Sequence, residues 1–284
     1  MKYCIFSFLL LCLGLKAQIN HPKASPFSRL EQEVGLSKIT VQYSRPSAKG
    51  RKIFGALVPY GRIWRVGANE STKIKVDSQM DVLGNKLPKG TYALYAFPQE
   101  DVWQVVFHTN TDHWGDGRNN YNADEDLFRI SITPETIPYH QENFLIAFDS
   151  ITHSKAQLQL IWGSTKIAIP FGVDTNAQMK AEIDKQIKEN PTAQTFYEAS
   201  RYLQEQGLDV KQALDYVNTA LEKGGDTYYF HRVKSLLEAQ LGDYTSAISS
   251  AEKSLKLAAI QEKDEFVRMN QKNIDSWRAM LQKD

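Results

Sequence analysis

Residues 158–187 read LQLIWGSTKIAIPFGVDTNAQMKAEIDKQI, and the hydrophobic pattern changes period in the middle of this run. Leu158, Leu160 and Trp162, then Ile167, Ile169 and Phe171, recur at every second position. Such alternation places them on one face of an extended chain. From Met179 the spacing becomes four residues, through Ile183 to Ile187, which is one stripe of an α-helix. A strand-built unit therefore ends, and a helical one begins, between Gly172 and Asn176.

Upstream, the period of two persists back to Ile39. It runs through Ile39, Val41 and Tyr43; Ile74 and Val76; Tyr92, Leu94 and Ala96; and Trp103, Val105 and Phe107. Phe128, Ile130 and Ile132, then Phe144, Ile146 and Phe148, continue it. Short alternating strands punctuated by Gly, Pro and Asn predict an all-β antiparallel sandwich or open barrel of about nine strands. No helical stretch separates them, which argues against a parallel α/β fold. Gly84-Asn85, between Val82 and Lys86, reads as a two-residue hairpin turn.

Downstream, Asn190-Pro191 ends the first helix and starts the next. An internal repeat follows: Ala213 and Ala247 are 34 residues apart (247 − 213 = 34), and Leu203/Leu237 and Leu221/Leu255 keep that offset. Thirty-four is the tetratricopeptide (TPR) period, and Leu241-Gly242-Asp243-Tyr244 with Ala247 and Ala251 resembles the TPR pattern of helical hairpins. Phe266, Met269, Ile274 and Trp277 mark a last helix over Asp264–Leu281 that caps the array. An all-α TPR-like unit over 174–284 thus follows a β unit over 25–172.

The N-terminus has the order of a secretory signal: Lys2, an apolar run from Ile5 to Leu15, and Ala17 as the small residue before the cut. Cleavage after Ala17 implies a periplasmic or secreted protein. Cys12 follows Leu11 rather than a small residue, which argues against a lipid anchor there. Both cysteines, Cys4 and Cys12, lie in the removed segment, so disulfides, a thiol nucleophile and thiolate metal sites are excluded from the mature chain. The formal net charge is +1, which gives no global pull toward nucleic acid, and no later apolar run is long enough to span a membrane.

One stretch is dense in unusual residues: Tyr43-Ser44-Arg45-Pro46, Lys49-Gly50-Arg51-Lys52-Ile53-Phe54-Gly55, Leu57-Val58-Pro59-Tyr60-Gly61 and Trp64-Arg65-Val66-Gly67-Ala68-Asn69-Glu70. These motifs, with Lys89-Gly90-Thr91-Tyr92 and Trp162, resemble the domain of unknown function 2911 family of Bacteroidota envelope proteins. The resemblance covers Ser25 to Phe171. It implies a β domain and export, often with a TPR-like tail, and implies no reaction.

Between Val34 and Asn69 there is no acidic residue, while Lys38, Arg45, Lys49, Arg51, Lys52, Arg62 and Arg65 fall in that segment. Interspersed glycines allow close backbone approach, and arginine forks fit carboxylate or phosphate. Two readings compete. In one, Arg45 and Arg51 belong to an anion-binding cleft, with Trp64, Arg65, Asn69 and Glu70 suiting a sugar or planar anion. In the other, the arginines tie loops to backbone carbonyls and to Asp112, Asp116, Asp124, Glu125 and Asp126. His108, Asp112, His113 and Asp116 are close in sequence, but no spacing there matches a metal motif, and no metal or cofactor is assigned.

The pattern favours a binding or scaffolding protein, with an anionic or glycan ligand on the β unit and a protein partner on the TPR-like helices. The alternative is a periplasmic hydrolase with a site around Arg65, Glu70 and His108. A pocket uniting those three residues would favour the enzyme.

Overall fold

Burying every second side chain of a strand needs a facing layer, and the chain supplies one from its own second sheet. The computed structural model describes residues 21–115 and 121–282. The predicted secretory segment, and Asp116 with it, lie outside the described residues.

Ten strands form among the described residues: β1 (Phe27–Val34), β2 (Ser37–Ser44), β3 (Thr72–Val76), β4 (Met80–Val82), β5 (Asn85–Leu87), β6 (Gly90–Phe97), β7 (Trp103–His108), β8 (Asp126–Ile132), β9 (Glu135–Asp149) and β10 (Lys155–Gly172). One sheet has the order β1-β2-β3-β6-β7-β8 and the other β5-β4-β10-β9. Every strand pairing within them is antiparallel. The result is an open sandwich, with ten strands where the pattern predicts about nine, and with β9 and β10, at 15 and 18 residues, far longer than the short strands the pattern suggests.

The core lies between the sheets. Val41, Ile74, Leu94, Val105 and Phe107 face Phe144, Leu158, Trp162, Ile167, Ile169 and Phe171, all buried. Tyr43 and Phe144 meet edge-to-face at 5.7 Å, and Phe107 meets Phe171 at 6.1 Å. The first sheet is also covered on its other face, where Ala93, Tyr95 and Val106 pack with Ile63, Phe97 and Tyr121. That second layer explains why β6 lacks clean alternation: Tyr92 to Ala96 are all buried.

The β4–β5 hairpin corrects the predicted turn by one residue. Val82 pairs with Asn85, so the two turn residues are Leu83 and Gly84, both left-handed, at φ 51° and 81°. Two such residues make the turn whose twist matches the strands. Asn85 opens β5 instead, and its amide donates to the carbonyls of Val82 and Leu83.

The chain divides into two compact units, the second beginning at Asn176. The helices are α1 (Thr175–Glu189), α2 (Ala193–Glu205), α3 (Val210–Glu222), α4 (Tyr228–Gln240), α5 (Tyr244–Ile260) and α6 (Asp264–Leu281). From α2 onward each helix packs on the next. The 34-residue spacing recurs in the caps: Asp209 accepts from the Gln212 amide and Asp243 from that of Ser246, each at the start of its helix. Ala213 and Ala247 are both fully buried, and their small side chains permit close helix crossings. On α6, Ile274 and Trp277 are buried as expected, while Met269 is exposed and Asn270 takes the interior position. Asn270 donates to Ser254 Oγ at 2.7 Å and accepts from Arg232 at 3.1 Å, which satisfies its buried amide.

Candidate functional site: two cavities beside one loop

β2 and β3 are sheet neighbours, yet residues 45–71 separate them, and this excursion carries the acid-free run. Its backbone is pinned to both sheets. Ala48 N donates to Glu142 O at 2.8 Å and Pro46 O accepts from Phe144 N at 2.9 Å, on the β9 side. Trp64 exchanges a pair of bonds with Ala96 on β6, at 2.8 and 2.9 Å.

Two of the predicted anion-binding arginines serve this pinning. Arg45 Nε donates to Phe144 O at 3.0 Å, and the Arg51 guanidinium donates to Ala48 O and Ser47 O at 2.8 and 2.7 Å. These are the carbonyl ties of the second reading, made here to main-chain atoms.

Trp64 is 7% exposed and centres an aromatic cluster. It stacks on Trp162 at 6.1 Å and meets Phe54, Trp103 and Phe144 edge-on between 5.2 and 5.9 Å. Its indole N–H donates to Gly67 O at 3.3 Å. The chain then turns sharply, with left-handed φ at Val66 (53°) and Asn69 (63°). A β-branched residue held there costs about 1–3 kcal/mol, and persists only because its surroundings fix it. Thr72 supplies that fixation, its hydroxyl donating to Val66 O and its amide to Arg65 O. At Gly67 a Cβ would meet Ser44 O at 2.9 Å, so a side chain there would push the loop from β2.

Two cavities flank the turn. The first holds about 480 Å³ and is lined by Lys49, Arg51, Arg62 and Arg65, with Pro59, Ile63, Trp64 and Trp162 as its apolar walls. No carboxylate is among its described lining residues. Lys49 and Arg62 make no ion pair with a described residue.

The second cavity holds about 530 Å³ and is lined by Phe27, Tyr43, Ser44, Asn69, Glu70, Ser71, Lys73 and Trp114, among others. Asn69 donates to Ser25 O at 3.2 Å and Ser44 Oγ at 3.1 Å, while its own carbonyl accepts from Gly115 N at 3.2 Å. Glu70 is exposed and bridges through its backbone to Trp114. Lys73 Nζ lies 2.6 Å from Ser71 Oγ and 3.1 Å from Ser71 O. Burial holds the Lys73 ammonium below the ordinary lysine value, against the pull of Glu70 and Asp112.

His108 lines neither cavity. It is fully buried, with Nε2 3.0 Å from Asn122 O, Nδ1 3.1 Å from Asn110 O, and the Glu125 carboxylate at 3.7 Å. Arg51, Trp64 and Arg65 thus share the first cavity, Asn69 and Glu70 line the second, and Arg45 and His108 line neither. Among the described residues no cluster of three or more His, Asp or Glu converges as a metal site. Lys49 and Arg62 belong beside the predicted residues, and the acid-free run already carried that signal. Ser71 and Lys73 carry a subtler one, since positions i and i+2 of an extended segment share a face.

Comparison with curated proteins gives no match. The family model described as "Protein of unknown function (DUF2911)" matches residues 25–171. That span takes in the loop, most of the lining of both cavities and nearly the whole sandwich, and covers half of the chain: the chain belongs to the DUF2911 family.

Proposed function

We propose that the protein is an exported envelope component that binds an anionic ligand, such as an acidic glycan, in the first cavity of its β unit. The carrying observation is that four cations line one cavity with no described carboxylate, and that Lys49 and Arg62 make no ion pair with a described residue. Arginine and lysine left unneutralised in a concavity present charge-assisted donors to carboxylate or phosphate. The apolar walls suit the faces of a sugar ring. The helical unit, with its 34-residue spacing and repeated caps, is read as a TPR-like platform for a protein partner. The secretory segment supplies the address. No described helix is long and apolar enough to cross a membrane. A hydrolase built on Arg65, Glu70 and His108 has less support, because no described cavity unites them.

Calorimetric titration with a sugar phosphate and a uronic acid tests the cleft. Each hydrogen bond to a charged group contributes about 1.5–3 kcal/mol, so the double variant Lys49→Ala/Arg62→Ala should bind at least about tenfold more weakly. Both residues are exposed, and folding stability should stay within about 0.5 kcal/mol of wild type. Undiminished binding in that variant, or no binding by the wild-type protein, would remove the cleft as the site.

A further inference from the structure

The second cavity holds a pair of side chains whose chemistry differs from that of the basic cleft. Ser71 Oγ and Lys73 Nζ are 2.6 Å apart, on one face of the segment that enters β3, and both line the cavity wall. Serine is a weak nucleophile until an adjacent base takes its proton, and a lysine serves as that base only when it spends time uncharged. We propose that Ser71 and Lys73 form a nucleophile–base dyad at which the protein cleaves a carboxylic ester. This inference is independent of the anion-binding reading of the first cavity.

The surroundings support the assignment. Burial disfavours the charged form of Lys73, and this outweighs the opposing fields of Glu70 and Asp112. Behind the dyad lies Tyr95, fully buried, whose phenol is raised by burial and eased by a hydrogen bond with the Ser71 side chain. The Tyr95 hydroxyl also meets His113 Nδ1 at 3.1 Å, so the polar groups on the sheet side of the serine are engaged with one another. Toward solvent, Phe27 and Trp114 line the same cavity and are 61% and 70% exposed. Exposed aromatic rings of this size offer an apolar bed for an acyl or aryl group.

The reaction closes without a co-reactant other than water. Ser71 Oγ attacks the acyl carbon, and its proton passes to the uncharged Lys73 amine. The carbon–oxygen bond to the alkoxy group then breaks, and the Lys73 ammonium returns that proton to the departing alcohol. A water molecule attacks the acyl-serine, yielding a proton to Lys73. As the acyl–Oγ bond breaks, the proton returns to Ser71 and the carboxylic acid leaves.

A fluorophosphonate, which phosphonylates activated serines, tests this on the full mature chain, with the labelled residue mapped by mass spectrometry. The wild-type protein should be labelled at Ser71. Lys73→Arg keeps a cation for Glu70 and Asp112 and cannot act as a base. It should label at least about 100-fold more slowly, the lower bound for loss of a general base, at an unchanged melting temperature. Ser71→Ala should be unlabelled and should not turn over p-nitrophenyl acetate. In wild type the labelling rate should rise with pH to a plateau below the ordinary lysine value, and Lys73→Arg should lack that rise. Absence of label at Ser71 in folded wild-type protein overturns the proposal. So does full-rate labelling of Lys73→Arg, which would leave Lys73 a structural partner. Should Ser71→Ala fail to fold, the site of wild-type labelling and the Lys73→Arg rate still decide.

Discussion

Trp64 illustrates how one side chain can belong to a site and a core at once. Its ring lines the first cavity, yet four aromatic neighbours pack around it and its N–H is engaged. Truncation to alanine should therefore cost about 3–5 kcal/mol, the range for emptying an aromatic site in a packed core. Urea denaturation of Trp64→Ala measures it, and a loss under about 1 kcal/mol would mean the ring is far less packed than described. Glycan stacking on Trp64 is consistent only with a ligand that meets its cavity-facing edge. The acid-free run pointed to a basic cavity, and Arg51 and Arg65 do line one. What the run did not carry is where each guanidinium spends its donors. Arg45 bonds Phe144 O, a residue nearly a hundred positions away, and such a partner is fixed by sheet packing rather than by local pattern. The same holds for His108, which composition presents as a ligand and packing places among carbonyls.

At the level of elements, the period of the hydrophobic pattern located most of the strands, but it missed β1, whose inward residues are mostly only half-buried, and it divided the 18-residue β10 near Gly163, where the pairing register shifts. β6 is covered on both sides, so the alternation of Tyr92, Leu94 and Ala96 marked the strand without showing that Ala93 and Tyr95 are buried too. The turn after β4 was displaced by a residue because the rule favours Asn and Gly, whereas the chain places Leu83 at the first left-handed position. In the helices, the 34-residue offset reappears in the Asp209 and Asp243 caps, but the buried polar groups were not legible. His231 on α4 is one of these. It is 6% exposed, and burial pushes it below its ordinary value, although Asp226 at 2.6 Å pulls the other way. In the unfolded chain it takes up a proton near pH 6.5. Below that pH the unfolded state binds a proton that the folded state resists, so stability falls as the solution is acidified. Asp226, held low by Lys253 and His231, adds its own loss at still lower pH. Denaturation of the wild-type protein at pH 7.5 and 5.5 should show the decline, and His231→Gln should flatten it. Equal slopes in the two proteins would exclude His231 as its source.

On the scale of the whole molecule, the proposed address makes a simple prediction. Protein recovered from the cell envelope should begin at Gln18, the residue after the small side chain that ends the apolar run. N-terminal sequencing reads this directly, and recovery of a chain starting at Met1 would contradict export by this signal. The two-unit layout was readable because a period of two and a period of about four cannot coexist in one element. The order in which strands join was not, since it depends on which segments meet in space. β10 is the member on which that order turns. The six strands of the first sheet are all present once Ile132 has been made. In the second sheet, β4 and β9 have no direct pairing and are joined only through β10, with Gly172 opposite Asp81. A chain emerging from the ribosome thus carries an unclosed sandwich, with the inner face of its first sheet waiting for a lid, until almost the last residue of the β unit appears. Distant pairings of this kind form slowly and leave apolar surface open while they do. For the exported protein proposed above, late closure is an asset: β10 is the last strand of the β unit to be synthesised, so the strands before it stay unlocked until it appears.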